Sequence, residues 1–103
     1  MQAVESFEHI VEAFSGEPGV TSGKMFGSLG LKVAGRTFAM EVKGRLVVKL
    51  PRVRVEELVA TGVGAPFDPG HGRVMKEWVA VDASSSASWV ELAREAHRYV
   101  GRS

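Results

Sequence analysis

No cysteine occurs anywhere in the chain. Disulfide staples, thiol nucleophiles and cysteine-ligated zinc are thereby excluded, and an unstapled chain of this size suits a reducing compartment. Long apolar runs are missing too, since nothing approaches the roughly 18 consecutive apolar residues of a membrane-spanning helix. The opening MQAVESFEHIVEAF has neither the basic start nor the unbroken apolar segment of a secretory signal. The expectation is a cytoplasmic protein with no membrane partner. Positive charge is absent from residues 1–20, which hold Glu5, Glu8, Glu12 and Glu17 and no Lys or Arg. Acid is scarce in residues 21–54, where Glu41 stands alone against Lys24, Lys32, Arg36, Lys43, Arg45, Lys49, Arg52 and Arg54. The net charge of +1 argues against strong non-specific binding to nucleic acid, while the segregated basic segment suits a local anionic partner.

What is present fits one domain of 103 residues with a single core. Its centre is Met25 to Leu50, MFGSLGLKVAGRTFAMEVKGRLVVKL, in which apolar and other residues alternate through three runs separated by Ala34-Gly35 and Lys43-Gly44. Side chains on a strand change sides with a period of two. The pattern therefore predicts a three-stranded meander with Leu29, Leu31 and Val33, then Phe38, Met40 and Val42, then Leu46, Val48 and Leu50 on one apolar face. Lys32, Arg45 and Lys49 fall on the opposite, basic face.

Around the meander, Val4, Phe7, Ile10, Val11 and Phe14 recur at helical spacing and predict a first helix ended by Ser15-Gly16. Val20 to Lys24 leads into the meander. Pro51 stops the third strand and starts a short helix to Thr61, with Val55, Leu58 and Val59 on one side and Gly62 as its stop. GVGAPFDPGHGR then reads as a loop anchored by Phe67. Val74 to Val81 is apolar on both faces and predicts a fourth strand, central or covered on both sides. A serine-rich cap leads into a last helix over about Ala87 to Val100, with Trp89, Leu92, Ala93 and Ala96 on its inner stripe. The expected fold class is α+β: a four-stranded, mostly antiparallel sheet, in the order α-β-β-β-α-β-α, with helices packed on its apolar face.

Catalytic patterns are lacking. His9, His71 and His97 have no partners at metal-site spacing within their own elements, beyond the glutamates any surface helix carries, so no metal or cofactor is expected. Ser84, Ser85, Ser86 and Ser88 lie in no nucleophile elbow and read as a helix cap. The stretch PGHGR, residues 69–73, is neither a P-loop nor a dinucleotide fingerprint. Its amides and Arg73 can be read as an anion cradle, or its glycines simply as a tight connection into a strand. The basic face of the meander is the other binding candidate: Lys32, Arg45 and Lys49, with Lys24 and Lys76 nearby, suit nucleic acid or an acidic protein surface. Lysines on a solvated sheet face also discourage aggregation, and no aromatic residue is expected among them for base stacking. Phe26, Trp78 and Trp89 are expected in the core.

Taken in order, Met25-Phe26-Gly27, Gly30, Phe38-Ala39, Leu46 with Lys49, Gly62, Pro66-Phe67, Gly72-Arg73, Met75, Trp78 and Trp89 resemble the N-terminal domain of the TfoX/Sxy family of bacterial competence regulators. The chain is more distantly similar to the MmcQ/YjbR group, a related small α+β fold for which DNA binding is discussed. The resemblance implies a non-enzymatic module that works by macromolecular binding. In that family, full-length regulators act on competence-gene transcription together with the cyclic-AMP receptor protein, and they carry a second, helical domain. It implies no catalytic residues, and it marks Lys49 and Arg73 as candidate surface positions. The expected partner is a transcription-related protein, with direct nucleic-acid binding through the basic face as the alternative, and the expected state is a monomer or homodimer.

Overall fold

Two dipeptides set the sheet. Ala34-Gly35 and Lys43-Gly44 adopt left-handed backbone at both positions, with φ of 53° and 80° in the first pair and 52° and 79° in the second. This two-residue turn has the twist of paired antiparallel strands. It folds Ser28–Val33 onto Arg36–Val42, and Arg36–Val42 onto Arg45–Lys49.

The computed structural model describes residues 6–25, 28–68, 72, 75–82 and 88–102. Along them run α1 (Phe7–Ala13), β1 (Val20–Met25), β2 (Ser28–Val33), β3 (Arg36–Val42), β4 (Arg45–Lys49), α2 (Arg52–Ala60), β5 (Ala65–Phe67), β6 (Met75–Val81) and α3 (Trp89–Arg102). The α+β class and the antiparallel meander are as expected, but the sheet of the described residues has six strands, not four, in the order β1-β2-β3-β4-β6-β5. The two added strands are its edges. β1 pairs along its whole length with β2 although Thr21, Ser22, Gly23 and Lys24 are all exposed, so the ladder holds it and no apolar alternation marks it. β5 is three residues long and contains Pro66, which an edge tolerates because no further strand needs its N–H. β6 lies inside the sheet, between β4 and β5.

A bulge changes what each face carries. Lys32 stands opposite Thr37 but Leu31 stands opposite Ala39, so Phe38 is an extra residue in β3. Phe38 and Ala39 both turn into the main core and are fully buried. Beyond them the alternation is reversed. Met40 and Val42, expected beside Phe38, lie on the opposite face with Val47, Phe67, Trp78 and Ala80. The sheet is therefore apolar on both sides, and the expectation of a purely basic outer face is corrected.

All three helices bury their stripes on the same side. Phe7 and Ile10 of α1, Val55 and Leu58 of α2, and Trp89, Leu92, Ala93, Ala96 and Val100 of α3 close over Leu31, Val33, Leu46, Val48, Leu50, Val79 and Val81. Ser88 caps α3 and Gly62 ends α2 as expected, and Ser6 caps α1. The Ser6 hydroxyl accepts the His9 N–H at 3.4 Å and the Ser88 hydroxyl accepts the Glu91 N–H at 3.3 Å, each satisfying a first-turn donor. α2 stops at Gly62, whose N–H reaches the Val59 carbonyl at 3.1 Å. Across the helix layer, Arg54 forks onto Glu95, Nε to Oε1 at 2.9 Å and Nη2 to Oε2 at 3.0 Å, and also contacts Glu57. These two carboxylates hold its pKa above the ordinary arginine value. No helix among the described residues is long and apolar enough to cross a membrane.

Candidate interaction surface

The face of the sheet opposite the helices is organised by one rung. Gly23 pairs with Gly30, Gly30 with Met40, Met40 with Val47, Val47 with Ala80, and Ala80 with Ala65. Directly paired residues share a face, so this chain of small and apolar side chains crosses every strand. Val47 and Ala80 are buried under their neighbours, with Phe67 against them and Met40, Val42 and Trp78 half-buried around them.

Three of the four candidate binding residues stand around that rung. On one side of it, Lys32 pairs with Thr37 and Lys49 pairs with Trp78. On the other side, Arg45 pairs with Val42. Lys32 and Lys49 sit two strands apart, about 10 Å, and Arg45 lies four residues along the strand from Lys49, about 13 Å. The expectation that they share a face holds for the register. Arg73 and His71 lie outside the described residues, as does Phe26.

Lys49 is the best-placed of these cations. Its ammonium is 6.0 Å from the Trp78 ring centre and 3.9 Å from Glu77 Oε1. With the two side chains 37% and 45% exposed, that ion pair is screened by water and contributes little to stability. Glu77 has a second partner, since the Tyr99 hydroxyl donates to its Oε2 at 3.2 Å. Burial, and then the adjacent carboxylate, push the Tyr99 pKa above its ordinary value and keep the phenol a donor.

Sequence reasoning missed the apolar centre of this face and placed Trp78 in the core. Trp78 is instead half-buried on the open side, beside Lys49. A signal was available: VMKEWVAV is apolar on both faces, which already argues for grease on the side away from the helices. Trp89, by contrast, is buried as expected, with its indole N–H donated to the Asp82 carbonyl at 3.1 Å. No group of three or more His, Cys, Asp or Glu suited to holding a metal occurs among the described residues.

No curated protein and no solved structure matches the chain. A family model does: the TfoX N-terminal domain aligns over residues 12–99, a span running from α1 almost to the end of α3. It therefore takes in the bulged strand, the rung and the cations around it, and on that match this chain belongs to the TfoX N-terminal domain family.

Proposed function

We propose that this protein is a non-catalytic regulatory adaptor of the bacterial cytoplasm that docks a transcription-related protein on the open face of its sheet. One observation carries the reading: an apolar rung flanked by Lys32, Lys49 and Arg45. Half-buried Met40, Val42 and Trp78 offer apolar area, and aromatic and methionine side chains are the types enriched where proteins meet. The cations suit a partner whose own apolar patch is ringed by acid, because complementary charge steers encounter and fixes register. Membership of the TfoX N-terminal family supports a role in regulation, with competence as the process its relatives serve.

The test is comparative capture from native cells, using the intact protein and a Lys32→Glu/Arg45→Glu/Lys49→Glu variant with unchanged thermal stability. A transcription-related protein retained by the first and lost by the second is the expected result. Identical retention by both would remove the sheet face from the reading.

Direct nucleic-acid binding is the second reading, favoured by the pairing of Lys49 with Trp78, which puts an aromatic ring next to a cation on this face. Counterion release makes such binding fall steeply with salt, and each removed phosphate contact lowers the logarithmic slope by about 1. A salt series on the intact protein and the charge variants distinguishes the two. An absence of binding at low salt would leave the protein partner alone.

A further inference from the structure

The pairing of β3 with β4 ends beside the bulge. Rungs between β3 and β4 start at Ala39–Val48, and beyond that pair β3 swings through Phe38 towards Arg36 while β4 runs out to Pro51. A cleft of about 560 Å³ lies there. Arg36 and Thr37 line it from β3, Lys49 from β4, Glu77 and Trp78 from β6, and Tyr99 from the last turns of α3. Its volume is within the range of roughly 300–1,000 Å³ of small-molecule sites.

The lining has a division of labour. Trp78 offers a flat indole wall. Arg36 and Lys49 bring two positively charged side chains to the lining and Glu77 brings a carboxylate. Glu77 Oε2 accepts the Tyr99 hydroxyl, and its Oε1 stands 3.9 Å from the Lys49 ammonium, longer than a direct charge-assisted hydrogen bond. An incoming carboxylate or phosphate approaching Lys49 at about 2.7–2.9 Å makes a shorter, charge-assisted bond than the one Lys49 has now. The same ammonium already stands 6.0 Å from the indole centre, so a group that binds it lies beside the ring.

We propose that this cleft binds a small planar aromatic anion, with the ring against Trp78 and its carboxylate or phosphate on Lys49. Arg36 adds positive charge at the rim, and the Glu77–Tyr99 pair gives polar groups for a hydroxyl or amine on the ring. Two sources share this chemistry, aryl carboxylates and nucleoside monophosphates. The site does not depend on the docking reading, although a ligand there would sit at the edge of the docking face.

The experiment is a titration of the ¹⁵N-labelled intact protein, following the indole N–H signals of Trp78 and Trp89. Indole-3-acetate and adenosine monophosphate are the two arms, with indole and inorganic phosphate as half-ligand controls. Saturable, millimolar or tighter binding is expected for at least one arm, shifting Trp78 and sparing the buried Trp89. Each half-ligand should bind about tenfold or more weakly, and Lys49→Gln should weaken the full ligand by about tenfold, the equivalent of one charge-assisted contact. Both Lys49→Gln and a Trp78→Phe control are checked by thermal melting. Failure of both arms to shift Trp78 at millimolar concentration overturns the proposal. So does equal binding by phosphate alone, or equal affinity in a folded Lys49→Gln protein.

Discussion

His97 is the sharpest place to perturb the core. Its ring sits 5.4 Å from both Phe14 and Phe38, which are themselves 5.3 Å apart, so three rings form a triangle between α3, β3 and the end of α1. Among the described residues, the imidazole Nε2 is buried without a hydrogen-bond partner. Leaving a buried polar atom unpaired costs roughly 1–3 kcal/mol, whereas each aromatic contact contributes roughly 0.5–1.5 kcal/mol. His97→Phe keeps the ring contacts and removes the orphaned nitrogen, at a modest cost for added volume in a half-buried position. We expect a net gain of about 1 kcal/mol, or a rise in Tm of about 4–8 °C for a domain of this size. His97→Ala removes the ring as well, and should lose about 1–3 kcal/mol. Urea unfolding of the three proteins measures both differences, provided the slope with denaturant is unchanged. A clear loss of stability in His97→Phe would show that the imidazole nitrogen is satisfied in solution, and would refute the reasoning.

Three further outcomes follow from particular contacts. An added Cβ at Gly64 would lie 2.5 Å from Val79 Cγ2 and 3.3 Å from the Ala80 carbonyl oxygen. Gly64→Ala should therefore cost about 1–3 kcal/mol in urea unfolding, and a neutral result would mean that β5 and β6 have room to separate. Tyr99 is the only tyrosine, so phenolate absorbance reports it alone. Its midpoint should lie above 10, and Glu77→Gln should bring it only partway back, because burial is the larger cause. A group raised in the folded state stabilises fully below its unfolded value, and that contribution is lost as pH rises through the folded one, so stability should decline above pH 10 and less so in Tyr99→Phe. The Arg54–Glu95 fork joins α2 to α3 with side chains 35% and 30% exposed. A double-mutant cycle with Arg54→Met and Glu95→Gln should give a coupling of about 0.5–1.5 kcal/mol that shrinks with added salt, and zero coupling at low salt would reduce the fork to packing.

The family resemblance and the helices were legible because each rests on local signals. Apolar spacing of three and four marks α1 and α3, Pro51 and Gly62 bracket α2, and the Ala34-Gly35 and Lys43-Gly44 pairs announce their hairpins. The shared face of Lys32, Arg45 and Lys49 was also readable, since Arg45 and Lys49 keep the period of two along one unbulged strand. Lys32 joins them through pairing with Thr37, on the near side of the bulge.

Tertiary structure decided the rest, and the reason is that edges and bulges are properties of pairing. VTSGKM has no burial pattern to read, and becomes β1 only because β2 offers it a ladder. APF is too short to show a period and becomes β5 beside β6. One extra residue at Phe38 sends Met40 and Val42 to the other side of the sheet, and nothing in the alternation of β3 itself announces the slip. That single unpaired position adds Met40 and Val42 to the apolar centre that Val47, Phe67, Trp78 and Ala80 already give the outer face, because a chain with side chains of period two cannot gain a residue without exchanging its faces.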